Sequence, residues 1–230
     1  LEASHHITND LDNRRWLFGA RDMACIFHQF KFCTRDHIGS AAHQIWRGGT
    51  ILITNNANRW HGNIWRLITE ISITNGHAGA DIAVNYRSHG EEADEVVAEI
   101  IALGRRAIAI GCDVSERTAV DAMVARTVSE LGRIDIAVAN AYYSKRQPFL
   151  ELTEDAMRRT LDVSLIGAFF TAQAAARQMV EQGDGGALLF ISSVLARIPF
   201  PTSIPYCAAK AGMNHMCATI AREMTPQRIR

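Results

Sequence analysis

From Asp81 onward the chain alternates short apolar runs with longer segments of helical periodicity, a pattern that few architectures accommodate. Asp81-Ile-Ala-Val-Asn85 has the apolar character of a strand buried on both faces. Glu91 to Leu103 repeats apolar residues at helical spacing, opens with Glu91 and Glu92 at the positive end of the helix dipole, and stops at Gly104. Ala107-Ile-Ala-Ile-Gly111 predicts the next strand, and Ser115 is placed to cap a helix that runs to Leu131 and terminates at Gly132. A strand over Ile134–Ala139 and one long helix from the Thr153 cap to about Glu181 follow. Then come a strand over Ala187–Ser192 and a helix through Tyr206 to about Met224. Strand and helix alternate throughout, so the sequence predicts an α/β fold with a Rossmann-like, doubly wound parallel sheet.

The first 77 residues read differently. They hold all four tryptophans and seven of the nine histidines, with little sustained periodicity. Within them, Thr50-Ile-Leu-Ile-Thr54 reads as a strand. We therefore expect an irregular N-terminal segment over 1–49 and one Rossmann-like α/β domain over 50–230. The chain has 230 residues, 48% hydrophobic and 21% charged, with zero formal net charge, enough for a sizeable core. Charge balance gives no reason to expect nucleic acid, and no apolar run approaches the roughly 18 residues of a membrane span. Five cysteines (Cys25, Cys33, Cys112, Cys207, Cys217) show neither metal-ligand spacing nor an even framework, which points to reduced thiols in a cytoplasm. His5, His6, His28, His37 and His43 lack partners at ligand spacing, so no metal is expected.

The chemistry concentrates in the run from Ile191-Ser-Ser-Val194 to Pro205-Tyr-Cys-Ala-Ala-Lys210. Twelve residues separate Ser193 from Tyr206, and Lys210 follows the tyrosine by four. On a helix that step puts phenol and ammonium on one face, where the positive charge favours the phenolate. A serine hydroxyl at the end of the preceding strand could hold a carbonyl oxygen while the tyrosine protonates it. A Tyr-x-x-x-Lys pair also occurs on solvated helix faces; the upstream serine after Ala187-Leu-Leu-Phe-Ile191 is what separates the two readings.

With these residues the chain resembles the short-chain dehydrogenase/reductase family, in its single-domain branch of 3-oxoacyl, sugar and alcohol reductases, from about Gly79 to Arg230. The resemblance implies hydride transfer between NADP(H), with NAD(H) as the other option, and a small carbonyl or secondary-alcohol substrate. It makes Tyr206 the general acid or base, Lys210 its electrostatic partner and a ribose ligand, and Ser193 the carbonyl positioner. Arg87 and Ser88 follow the strand where an NAD enzyme carries an acidic residue, and a guanidinium there suits a ribose 2′-phosphate. Arg87 as an ordinary surface arginine is the alternative. Asp113 and Val114 match the pair that flanks the adenine, although Asp also forms turns at strand ends. Asn140 and Ala141 match the centre of the family's Asn-Asn-Ala-Gly stretch, with Tyr142 in place of its glycine. The family also implies a homodimer or homotetramer that pairs through its two long helices.

Three departures accompany the match. Ser164 stands where the family carries an asparagine of the proton relay, so it enters as an altered fourth member. The glycine-rich phosphate turn is missing after Thr54: in Asn55-Asn-Ala-Asn-Arg-Trp-His-Gly-Asn-Ile-Trp65 only Gly62 remains. Reading Asn58–Trp65 one nucleotide later turns both tryptophans into glycines, and coding DNA without the required bases would eliminate that explanation. The family also implies a further strand, a substrate lid and a final strand beyond Arg230. These departures define a second reading, an inactive or truncated relative that serves as a protein-interaction module. From the relay position the sequence predicts that Ser164→Asn keeps cofactor affinity and maintains or raises turnover. Steady-state kinetics check this, and a clear loss of turnover would show serine to be the adapted residue.

Overall fold

The computed structural model describes residues 49–55, 72 and 74–230. Strands β1 (Thr50–Thr54), β2 (Asp81–Tyr86), β3 (Ala107–Gly111), β4 (Ile136–Ala139) and β5 (Ala187–Phe190) form one sheet in the order β3-β2-β1-β4-β5. Every pairing is parallel, with Thr50 opposite Asp81, Ile82 opposite Ala107, Ile51 opposite Ile136 and Ile136 opposite Ala187. Helix α1 (Gly90–Ala102) connects β2 to β3, α2 (Arg117–Leu131) connects β3 to β4, α3 (Glu154–Leu161) and α4 (Gly167–Gln182) connect β4 to β5, and α5 (Ile204–Met224) follows β5. Among the described residues no helix is long and apolar enough to cross a membrane.

Side-chain alternation along each strand divides the core into two layers. Ile51, Ile53, Ile82, Val84 and Val138 pack with Ala93, Val96 and Ile100 of α1. Leu52, Ala83, Ile110 and Ala137 pack with Val120, Met123 and Val124 of α2 and Ala175 and Met179 of α4. Because both faces are covered, the strands read as near-continuous apolar runs, which is the signal visible in the sequence. Where α4 begins, Gly167 lies against Val114 so closely that a Cβ would sit 2.7 Å from the valine methyl, so any larger residue forces α4 and the Val114 segment apart.

The two ends of the sheet are built from different chemistry. At the N-terminal end Asp135 accepts from the Thr50 N–H (2.7 Å) and from Arg133 Nε (2.8 Å). Asp81 accepts from Arg105 Nη2 (2.8 Å), Arg106 Nε (2.8 Å) and the Arg106 N–H (3.0 Å). At the C-terminal end neutral groups do the tying. Buried Asn85 accepts from the Asn55 N–H (3.0 Å) and donates to the carbonyls of Ile110 (3.1 Å) and Cys112 (3.0 Å), which fixes the ends of β1, β2 and β3 together. Beside β5, Ile229 forms a parallel bridge with Gly186, and the Leu188 N–H donates to the Arg230 carbonyl (2.8 Å).

Several predicted boundaries shift, each for an identifiable reason. Ser115 does not cap α2: the helix starts at Arg117 after Glu116 with no side-chain cap, because the Ser115 hydroxyl donates to Asp113 Oδ1 (2.7 Å). β4 starts at Ile136 and not Ile134, since the Gln182 amide takes both the Ile134 N–H (2.9 Å) and its carbonyl (2.8 Å). Thr153 does cap α3, accepting from the Ala156 N–H (3.2 Å), but the expected single helix is interrupted by a π-helical turn over Asp162–Ile166 before α4 continues. β5 ends at Phe190 because the Ile191 carbonyl accepts from Lys210 Nζ (2.7 Å) instead of extending the strand. Residues 1–48 of the segment expected to be irregular, and residues 56–65 of the stretch that lacks the glycine-rich turn, lie outside the described residues.

Burial raises the Asp81 carboxyl pKa, but the hydrogen bonds and charges of Arg106 and Arg105 outweigh it and leave the group below the ordinary carboxylate value. Its folded pKa is therefore lower than its unfolded value near ~3.9, so its stabilisation is complete above that pH and disappears as pH falls through the folded value. Asp81→Asn is expected to cost about 1–2 kcal/mol at pH 7, since the arginines stay partly solvated, and less at pH 3, below the unfolded value. Urea midpoints at the two pH values check this; an equal loss at both would contradict the ion-pair account.

Candidate active site

In a parallel sheet of this order the chain runs outward from β1 through β2 and β3, then returns to the other side of β1 through β4 and β5. A crevice therefore opens beyond the C-terminal ends of β1 and β4. Thr54 lies at that point: its hydroxyl donates to the Val138 carbonyl (3.1 Å) and accepts from the Asn140 N–H (3.2 Å). Asn140 is 3% exposed, and its side-chain amide Nδ2 has no hydrogen-bond partner among the described residues. A buried amide donor left open at the switch point is a costly feature unless a ligand accepts from it. Ala141 is buried beside it.

One strand further along, the three residues singled out from the sequence come together. Ser193 follows β5 and accepts from the Leu195 N–H (3.2 Å), which opens a short 3-10 turn over Val194–Ala196. Tyr206 lies in the first turn of α5, and the Ser193 side chain reaches its hydroxyl. Lys210 lies one turn further on, 2% exposed, with Nζ bonded to the Ile191 carbonyl and 5.7 Å from the centroid of the Tyr206 ring. Phenol, alcohol and ammonium thus converge on the C-terminal end of β5.

The electrostatics differ from the sequence expectation in one respect. Burial is the largest influence on Tyr206 and raises its pKa; the Ser193 hydrogen bond lowers it and Cys207 raises it further, leaving the phenol above its ordinary value. Burial also pushes the Lys210 ammonium down to about 8. At neutral pH the lysine is still charged, but in this structure burial of the ring outweighs the help its charge was expected to give. A phenol in that state is a proton donor at pH 7.

Tyr142 occupies the position where glycine was expected. Its buried ring meets Tyr206 edge-on, with centroids 5.8 Å apart at 70°. Burial, then the neighbouring Tyr206, raises the Tyr142 hydroxyl above the ordinary phenol value. Next to it, Ser164 sits in the π-helical turn, fully buried. Its single oxygen accepts from the Tyr143 N–H (2.9 Å) and donates to the Tyr143 carbonyl (3.1 Å), and so ties the loop after β4 to the helix. An asparagine amide offers a donor and an acceptor on separate atoms, where Ser164 serves both roles with one oxygen.

The remaining predicted residues gather at the ends of β2 and β3. Arg87 Nη1 lies 4.0 Å from Asp113 Oδ2, and Ser88 Oγ is 3.0 Å from His89 Nδ1. Asp113 accepts from the Ser115 N–H (3.0 Å), the Ser115 hydroxyl (2.7 Å) and Arg159 Nη2 (2.6 Å). Burial raises the Asp113 pKa, but these bonds prevail and hold it below the ordinary value. Val114 contributes a fully buried side chain to the core, so only its backbone is available at the site. Arg159, Tyr143 and the Ile191 carbonyl hold Asp113, Ser164 and Lys210 in place, and the sequence did not reveal them. In the structure Arg159 is one of two basic residues in the last turn of α3, and its pairing with Asp113 spans 46 positions.

A dinucleotide fits this set of groups: an open amide donor at the switch point, a buried ammonium near the phenol, and cationic side chains beside Asp113. Asn140, Lys210, Tyr206, Arg87 and Ser88 are the side chains that could hold it.

The model of the short chain dehydrogenase family matches residues 69–230. The chain is 40% identical over 143 residues to an L-rhamnose 1-dehydrogenase (NAD(P)(+)) of Sphingomonas sp. (strain SKA58), covering 62% of this chain and 56% of that protein. It spans less than two thirds of the length of the curated relatives it matches. Among solved structures, a short-chain type dehydrogenase/reductase from Mycobacterium marinum superposes with a TM-score of 0.71 at 34% identity, over 80% of this chain and 70% of that one. An NAD+-bound xylitol dehydrogenase does so with a TM-score of 0.72 at 26% identity, over 81% of this chain and 68% of the other. Sheet order, the meeting of Ser193, Tyr206 and Lys210 at the end of β5, and these matches lead to one assignment: the chain belongs to the short-chain dehydrogenase/reductase family.

Proposed function

We propose that the protein transfers a hydride between NADP(H) and a small carbonyl or secondary-alcohol substrate. The observation that carries this reading is the Tyr206 hydroxyl reached by Ser193, with the Lys210 ammonium buried behind the ring. The nicotinamide, when bound, supplies the hydride to the carbonyl carbon or takes it from the alcohol. In reduction the Ser193 hydroxyl donates a hydrogen bond to the substrate oxygen and fixes it. Tyr206 gives its O–H proton to that same oxygen, so the phenolic O–H bond breaks as the alcohol O–H bond forms. Lys210 holds a positive charge close to the phenolate left behind. In oxidation the same groups run in reverse, and Tyr206 must first be ionised.

Cofactor choice rests on Arg87, whose guanidinium suits a 2′-phosphate that a carboxylate would repel. The name of the Sphingomonas relative supports a sugar or other polyhydroxy substrate. Pairing of two or four copies has a physical counterpart in the groove between α4 and α5. Phe169, Ala172, Ala176, Val180, Ile220 and Met224 give it a largely apolar lining. The free thiols of Cys112, Cys207 and Cys217 agree with a reducing compartment such as the cytoplasm.

Two outcomes check the proposal. Tyr206→Phe is expected to lose about 10²-fold or more in turnover while NADPH binding is retained; full activity would refute the assignment, and absence of any NADPH binding by the unaltered protein would favour the interaction-module reading. Because Tyr206 is held above its ordinary pKa, kcat/KM for alcohol oxidation is expected to climb steadily through the alkaline range, whereas carbonyl reduction stays level near neutral pH. An oxidation profile already at its plateau by pH 7 would contradict the raised phenol.

A further inference from the structure

The ends of β2 and β3 carry two guanidiniums and one carboxylate, and the carboxylate is not shared equally. Asp113 Oδ2 is 2.6 Å from Arg159 Nη2 but 4.0 Å from Arg87 Nη1. Its other oxygen is taken by the Ser115 N–H and hydroxyl, and Arg159 Nη1 donates to that same hydroxyl (2.7 Å). Arg159, Asp113 and Ser115 thus close a ring of charge-assisted hydrogen bonds that leaves Arg87 outside. Among the described residues Arg87 has no other ion pair, and its side chain is 33% exposed. The cluster retains one uncompensated positive charge, located on the arginine at the end of β2.

We infer that Arg159 is a specificity-determining residue for the cofactor, acting from α3 by drawing Asp113 away from Arg87 and so leaving that guanidinium available to a ribose 2′-phosphate. This rests on the NADP(H) reading given above. The two arginines compete for one carboxylate. A guanidinium that makes two parallel bonds to Asp113 and Ser115 outcompetes one held at the limit of ion-pair distance. Without Arg159 the nearest cation to Asp113 Oδ2 is Arg87, and a neutralised Arg87 gains less from a phosphate dianion while the local charge falls by one. A cofactor with a free ribose hydroxyl has no phosphate at stake and is affected little.

Fluorescence titrations with NADPH and NADH on the full chain test this, using the unaltered protein, Arg159→Leu, and the double variant Arg159→Leu with Asp113→Asn. The unaltered protein is expected to bind NADPH more tightly than NADH. Arg159→Leu is expected to lose about tenfold in NADPH affinity, the equivalent of one charged hydrogen bond, with NADH affinity changed by less than about threefold. The double variant removes the competing carboxylate and is expected to recover most of the loss, which a merely structural role for Arg159 would not allow. An unchanged NADPH/NADH ratio in Arg159→Leu, equal loss of both affinities, or no recovery in the double variant would each overturn the inference while leaving the NADP(H) reading intact. Equal affinities in the unaltered protein would overturn both.

Discussion

The bond from the Lys210 ammonium to the Ile191 carbonyl is the interaction on which the active site depends. It ends β5, since the carbonyl that would continue the ladder is occupied, and it fixes α5 against the end of the sheet. Tyr206, one turn earlier, then faces the Ser193 that follows the same strand end. A charge this deeply buried with one close oxygen acceptor is an unfavourable arrangement for stability alone. Its depressed pKa of about 8 registers that cost. Such a departure from an apolar interior is expected at sites where chemistry, not packing, sets the residue.

The sheet separates stability from function along its own length. Its N-terminal edge is held by carboxylates in ion pairs, Asp81 with Arg105 and Arg106, and Asp135 with Arg133. Its C-terminal edge relies on neutral amides and hydroxyls at Thr54, Asn85 and Asn140, which bind strand ends without adding charge. Among the described residues, charged groups gather beyond that edge at the Lys210 site after β5 and in the Arg87–Asp113–Arg159 cluster after β2 and β3. The two lie at positions suited to the reactive and the nucleotide ends of one extended ligand.

Much of this was legible in the sequence because its signals are local. β1 and β3 run over the predicted residues, and Gly104 and Gly132 adopt the left-handed conformation expected just past a helix end. The spacing of Ser193, Tyr206 and Lys210 survives into three dimensions for the same reason: a strand end, a helix start and one helical turn are all short-range. What was not legible involves partners distant in the chain. The Gln182 amide shortens β4, Arg159 captures Asp113, and Tyr143 holds Ser164, and none of these pairings leaves a local trace. The effect of Lys210 on Tyr206 was misjudged because helical spacing gives proximity but not burial, and burial is the larger influence here.

The most direct test of this account is a 15N NMR titration of the Lys210 Nζ group, assigned by comparison with Lys210→Arg. The account predicts that it loses its proton near pH 8, well below the ordinary lysine value of about 10.4, as a desolvated ammonium must. Titration at the ordinary value would place the ammonium in solvent, remove the anchor between α5 and β5, and contradict the arrangement of Tyr206 and Ser193 described here.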